Sequence, residues 1–250
     1  MGRPVDAQPL RAAPPEGGVR RDPVRPGRHR AALPRPRADV TPDDGTRLDR
    51  LSLLAVDLET TGLSPAHDEV LAVGWVPVDG LRIDLSGGRR RVVRHDDPGD
   101  AVTIHGLTHD DLEEGRPLAE VLAELRSALS GRVLLAHHAP FELAFLGAAF
   151  RAVGERPVLP PAVCTLDLQR RLLVRHGEVR PGDLRLWRAR ERHGLPVTTA
   201  HDALGDALAC AELYLAQTAE LGASGPLSLR DVRRREPWID RLRSWLRGRR

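Results

Sequence analysis

The sequence contains no lysine, so all 38 of its basic residues are arginine, a bias that reads as codon composition rather than chemistry. Aromatic residues make up 3% of the 250, and all eight lie at or beyond Trp75. Cysteine is scarce as well. Cys164 and Cys210 cannot frame a disulfide-built domain, and they suit a reducing compartment. No apolar stretch nears the roughly 20 residues that a membrane-crossing helix requires, and the first residues hold no apolar segment of the kind that directs secretion. The expectation is a cytoplasmic protein with no membrane partner. What is present, a 41% hydrophobic composition, can bury a core in one ordinary domain with tails.

The net charge of +3 is unevenly spread. Residues 1–50 hold eleven Arg against seven acids, and residues 226–250 hold nine against three. That leaves 51–225 with 18 Arg against 25 acids, a net of −7. A nucleic-acid binder that relies on charge alone puts a basic stripe on its folded body. An acidic body approaches phosphate only if bound divalent cations reverse the local field, which turns attention to where its carboxylates sit.

Residues 1–47 contain nine Pro, no aromatic side chain and no sustained periodicity, the composition of a disordered tail. A folded domain is expected over 48–222. Residues 223–250 form a basic extension in which Trp238, Leu242, Trp245 and Leu246 fall at helical spacing with Arg241, Arg243 and Arg247 between them. This amphipathic pattern suits docking on a partner or lying along phosphates, and equally suits packing back onto the domain.

Within the domain, the apolar run 51–59 ends at Gly62 and reads as a buried strand. Two further strands, 69–78 and 81–93, meet at Asp79-Gly80, a hairpin signal. Thr108 and Asp111 have helix-cap spacing, and 118–129 is helical with Gly131 as its stop. A strand over 133–137 is followed by a helix over 141–153, closed by Gly154. Further helices are expected over 166–174, 183–193 and 202–221. The order predicts an α/β domain with a mixed β-sheet flanked by helices.

Asp57 and Glu59 stand two apart at the end of the first strand, so both project to one face. A buried carboxylate left unpaired costs on the order of several kcal/mol, so an Arg, a shared proton or a divalent cation must compensate. Thr60-Thr61-Gly62 follows, with hydroxyls that can hydrogen-bond and a Gly that lets a ligand come close. Asp206 shares an apolar helix face with Ala203 and Cys210, and His201 precedes that helix, an imidazole suited to general-base work near neutral pH. Glu142 lies in the first turn of another helix, where the dipole favours an anion. Each feature alone has a bland reading: a strand end reaching solvent, a capping His, a first-turn acid.

Together and in order, these residues resemble the 3′–5′ exonucleases of the DEDDh type, the superfamily of the proofreading epsilon subunit of DNA polymerase III, ribonuclease T and oligoribonuclease. Val56-Asp-Leu-Glu-Thr-Thr-Gly-Leu63 resembles the first motif, Ile104-His-Gly-Leu-Thr108 the substrate-side loop, and His201 with Asp206 has the third motif's spacing. The resemblance covers about residues 50–221. The second motif departs from the usual His-Asn-Ala-x-Phe-Asp and reads His137-His-Ala-Pro-Phe-Glu142. Adjacent His137 and His138 point to opposite faces, which argues against an ion shared between them. Asp167, the nearest alternative carboxylate, fits the pattern poorly.

The resemblance implies a ribonuclease H-like fold and hydrolysis of phosphodiester bonds at the 3′ end of single-stranded DNA or RNA, releasing nucleoside monophosphates. It also implies two Mg²⁺ or Mn²⁺ ions held by Asp57, Glu59, Glu142 and Asp206, with His201 taking the proton from water. Thr60, Thr61 and Gly62 would seat the terminal nucleotide, flanked by Leu63 and His105. A polymerase-type subunit is the expected protein partner. The departures at His138 and Glu142 leave a second reading open, a catalytically idle domain that binds nucleic acid or such a partner.

Overall fold

Alternate side chains of the first strand, β1 (Ser52–Thr60), belong to different cores. Leu54, Val56 and Leu58 enter one apolar cluster, and Leu53 and Ala55 enter another. A strand covered on both faces has to be apolar at nearly every position, and this is why the run over 51–59 is continuous. The computed structural model describes residues 42–96, 106–157, 160–175, 177, 179–198 and 201–233. The N-terminal segment up to residue 41, His105 and the extension carrying Trp238 and Trp245 lie outside the described residues.

β1 pairs antiparallel with β2 (Val70–Asp79), which also carries β3 (Arg82–Ile83) and β4 (Arg89–Val92) on its outer side. On its other side β1 pairs parallel with β5 (Val133–Ala136), and β5 pairs parallel with β6 (Ala162–Cys164). The described residues thus form a mixed six-stranded sheet. Short helix α1 (His109–Glu113) leads into α2 (Leu118–Leu129) and α3 (Ala139–Ala152). Leu122 and Leu125 of α2 and Phe145 and Phe150 of α3 pack on the Leu54–Val56–Leu58 face. After α4 (Thr165–Val174) and α5 (Leu186–Arg192) comes α6 (Ala203–Leu221), then α7 (Leu229–Val232). Leu168 of α4, Tyr214 of α6 and Leu229 of α7 cover the opposite face. The sheet lies between two helical layers, as the element order predicts.

The expected single strand over 81–93 is broken. A 3₁₀ turn, Leu85–Gly87, interrupts it, because the Asp84 carboxylate accepts from the Ser86 N–H (3.0 Å) and hydroxyl (2.6 Å), a local alternative to ladder bonding. Helix α3 starts earlier than residue 141, with Pro140 in its first turn, where a missing N–H is harmless. Helix α5 is shorter than 183–193 at both ends, and β6, three residues long, has too little pattern to read. Residues on either side of 48–222 also join the core. The Leu48 N–H donates to the Leu227 carbonyl (3.1 Å), the Leu229 N–H donates to the Thr46 carbonyl (2.9 Å), and Arg233 pairs with Asp44 at 2.7 Å.

The two free sides of the sheet differ. β4 presents Arg89, Arg90 and Arg91 in succession, while β6 is met by an isolated antiparallel bridge from Val163 to Arg233. One glycine controls how close α6 comes to the sheet. Gly74 of β2 is the register partner of Asp57. A Cβ there would lie 2.0 Å from the Ala203 carbonyl carbon and 2.3 Å from the Leu204 nitrogen. The bare backbone therefore lets the first turn of α6 rest directly on the sheet beside Asp57. Gly74→Ala is expected to displace that turn and lower the urea midpoint by about 1–3 kcal/mol equivalent, the usual cost of overpacking. An unchanged midpoint would mean the helix does not depend on this contact.

Candidate active site

Asp57 and Glu59 continue the Leu53–Ala55 face of β1 toward α6. Beside them the ladder slips: Glu59 pairs with Ala72 but Thr60 with Val70, leaving Leu71 as an extra residue on β2. Such a bulge bends a strand end and re-aims its side chains. Asp206 comes from the first turn of α6, whose N-cap Asp202 accepts from the Gly205 N–H at 2.8 Å. One oxygen from each of Asp57, Glu59 and Asp206 lies within 4.8 Å of the other two. His201 has a φ of +67°, unusual for a residue with a side chain, and this turn brings its backbone N–H to the Asp206 Oδ2 at 2.9 Å. Glu142, in the first turn of α3, is buried, and its Oε2 finds no hydrogen-bond partner among the described residues.

These groups push each other's protonation upward. Burial holds the Asp57 carboxyl well above the usual carboxylate range, and the charges of Glu142, Asp206, Glu59 and Asp202 add to it. Glu59 rises to about 7 through burial and the charges of Asp206 and Asp202, against the pull of Arg90. Burial raises Glu142 to about 8. Asp206 is raised by burial, with the His201 N–H and imidazole resisting. At the other end of β1, Arg132 grips Asp79 through two contacts of 2.7 and 3.1 Å. The four site carboxylates have no such arginine among the described residues: Arg90, the nearest in effect, is engaged by Asp202 at 3.0 Å. With arginine absent, shared protons or a divalent cation remain. An all-oxygen donor set with an orphaned buried oxygen fits a hard divalent cation.

The loop after β1 is tied internally. The Thr60 hydroxyl donates to the Gly62 carbonyl (2.6 Å), the Thr61 hydroxyl contacts the Asp68 Oδ1 (3.3 Å), and the Asp68 Oδ2 accepts from the Ser64 N–H (2.7 Å). A Cβ on Gly62 would lie 2.6 Å from the Asp68 carboxylate, so a side chain at residue 62 would push that carboxylate off the loop it ties. The threonine hydroxyls expected to contact a ligand thus shape this turn. Leu63 is 85% exposed on it. A cavity of about 710 Å³ opens alongside, with Glu69, Val93, His95, Phe145 and Arg151 in its walls.

His137 and His138 diverge as expected. The His137 ring turns inward, with Nδ1 2.8 Å from the Thr165 hydroxyl and Nε2 2.8 Å from the Leu184 carbonyl. Burial lowers its pKa to about 4. It is therefore neutral, with Nε2–H donating to the carbonyl, which can only accept. His138 faces outward, its ring centroid 6.3 Å from that of Phe141. Asp167 sits 3.8 Å from Arg170 on α4, outside the cluster. Sequence reasoning missed Asp68, Asp202 and Gly74. Of these only Gly74 carried a signal, a glycine in the middle of an otherwise apolar strand.

Residues 54–214 match the RNase T exonuclease family. The chain belongs to this family. It is 30% identical over 190 residues to a DNA polymerase III subunit epsilon-like protein of Rhodobacter capsulatus, covering 72% of this chain and 25% of that protein. It is 28% identical over 191 residues to the PolC-type DNA polymerase III of Staphylococcus saprophyticus, covering 74% of this chain and 12% of the polymerase. This exonuclease thus spans a quarter or less of the length of these relatives. In fold it resembles the zinc-bound E. coli exonuclease I–single-stranded DNA complex (TM-score 0.61, 19% identity, 68% of this chain and 41% of that one). It also resembles the nuclease domain of 3′hExo, a DEDDh family member, bound to rAMP (TM-score 0.58, 15% identity, 68% and 92%). The mixed sheet flanked by helices is the ribonuclease H-like fold that these structures share. Among the described residues no helix is long and apolar enough to cross a membrane.

The raised carboxyls set the sign of a pH effect. A folded-state pKa near 8 for Glu142 against an ordinary value unfolded means the folded chain holds the extra proton between roughly pH 4.5 and 8, so stability falls as pH rises through that window. In EDTA, the Tm of the wild type is expected to drop from pH 5.5 to pH 8 by more than that of Glu142→Gln, and Mn²⁺ should restore the difference at pH 8. Equal drops in the two proteins would show that Glu142 is not a strained acid.

Proposed function

We propose that this exonuclease works from the 3′ end of single-stranded DNA or RNA and releases nucleoside monophosphates. Asp57, Glu59, Glu142 and Asp206 would hold two divalent cations, Mg²⁺ or Mn²⁺. The observation that carries the reading is the meeting of three carboxylate oxygens from β1 and α6 within 4.8 Å, with no arginine ion-paired to them among the described residues and the buried Glu142 in electrostatic reach of Asp57. When bound, such ions polarise a phosphodiester and offset the charge that builds up on it.

The chain's own groups supply the rest. His201, exposed just before α6 and near enough to influence Asp206, takes the proton from the attacking water. The new P–O bond forms as the bond to the preceding 3′ oxygen breaks, and that oxygen leaves as an alkoxide that takes a proton from solvent to become a hydroxyl. The Thr60-Thr61-Gly62 turn, held by Asp68, seats the terminal nucleotide, and the exposed Leu63 offers apolar surface to its base, with His105 on the other side. Relatives that are DNA polymerase III proteins support a polymerase-type partner and work in the cytoplasm. The exonuclease domain is taken as 48–222, with 1–47 and 223–250 as extensions. Nothing observed favours an idle domain, and Glu142 keeps a carboxylate whose charge reaches Asp57.

Asp57→Asn and Asp206→Asn are each expected to lower release of mononucleotides from a 3′-labelled oligonucleotide in Mn²⁺ by at least about a hundredfold while the far-UV spectrum stays native. Full activity in either variant rejects the site. His201→Ala should lose least at high pH, where hydroxide is plentiful, so its pH–rate profile steepens relative to wild type. An unchanged profile would remove His201 from the proton-accepting role.

A further inference from the structure

Among the described aromatic side chains Trp187 alone is exposed, with 52% of its surface open. It lies in the first turn of α5, and the Arg188 guanidinium sits 4.4 Å from its ring centroid. Arg188 is held there by Glu191 at 2.7 Å. Residues 180–193 carry five arginines against Asp183 and Glu191, a positive segment on a body whose residues 51–225 are net negative. Arg185 and Arg192 have no acidic partner among the described residues.

This segment is fixed to both elements that present the carboxylates. The Leu184 carbonyl accepts from His137, which lies just before α3 and Glu142. The buried Arg190, one helical turn after Trp187, donates to the Ala209 carbonyl at 2.8 Å and pairs with Glu212 at 2.8 Å on α6. Its charge reaches Asp206. An exposed indole beside the Arg188 guanidinium, in a segment whose Arg185 and Arg192 have no acidic partner among the described residues, matches the two repeating features of an unpaired strand, base faces and phosphates. An acidic or purely apolar protein surface would use one of those features and leave the other unmatched.

We infer that Trp187, with Arg185, Arg188 and Arg192, forms a stacking platform for a base upstream of the 3′-terminal nucleotide, so that strands long enough to reach it bind more tightly than dinucleotides. The inference rests on the nucleic-acid reading above. It is tested in the full chain carrying Asp57→Asn to prevent hydrolysis, by fluorescence anisotropy with labelled oligothymidylates of 2, 4, 8 and 12 nucleotides in Mn²⁺. Trp187→Ala is expected to weaken binding of the longest strands roughly tenfold, the loss of one base stack, and of the dinucleotide less than twofold. Trp187→Phe should recover most of the difference, because an aromatic face remains.

Equal weakening at every length, or none at any length, overturns the platform. Hydrolysis by the chain without Asp57→Asn is scored separately. Hydrolysis together with length-independent binding by Trp187→Ala overturns the platform alone. A length-dependent loss in a chain that hydrolyses nothing keeps the platform and overturns the 3′–5′ exonuclease reading.

Discussion

A carboxylate removed from water costs several kcal/mol unless opposite charge comes with it, and at the end of β1 the fold gathers acids without supplying any. Asp57, Glu59 and Asp206 meet within 4.8 Å, and Glu142 adds a buried oxygen with no partner among the described residues. Arginine is plentiful in this chain, and it is spent elsewhere: Arg132 on Asp79, Arg90 on Asp202, Arg190 on Glu212. The surrounding sheet and helices therefore hold a site whose own groups repel one another. Rigid packing on both sheet faces keeps them from moving apart, and the proposed cation binding would draw on that repulsion.

Two local devices bring α6 and α3 to that corner. Gly74 has no side chain to keep the first turn of α6 away from the sheet, and the Arg90–Asp202 pair ties the same turn to β4. On the other side, the neutral His137 ring joins the end of β5 to Thr165 and to the Leu184 carbonyl. Glu142, which stands where the resembled motif has Asp, lies in the first turn of α3, and its charge acts on Asp57.

The candidate site was more legible than the fold around it. Alternation in β1 announced that Asp57 and Glu59 share a face, and the apolar stripe of α6 made Asp206 conspicuous, because both signals are local. The contacts that bring these elements together are not local. Nothing near Gly74 in sequence says that Ala203 will lie against it, and nothing near Thr61 says that Asp68 will close the loop. The break at Leu85–Gly87 did leave a signal, the turn-forming Asp84, Ser86, Gly87 and Gly88, but the strand-like residues on either side were read through it. β6 was missed because three residues cannot show a period. The joining of residues 44–48 to 227–233 was missed because proline and arginine content suggested tails.

The two sides of the sheet have a consequence for how this molecule behaves in a crowded solution. A strand with unpaired N–H and C=O groups invites a neighbour to extend the sheet, the first step toward intermolecular aggregates. On one side the approach to β4 is guarded by arginines on alternating faces, Arg89, Arg90 and Arg91, and its end is already bridged by residue 116 at Val93. On the other the invitation is withdrawn by occupation, because the chain's own residue 233 takes the place beside Val163. Substituting valine at Arg89, whose guanidinium bonds only the nearby Ser86 and Gly88 carbonyls among the described residues, would weaken the guard on β4 without touching the pairs that Arg90 and Arg91 make with Asp202 and Glu124.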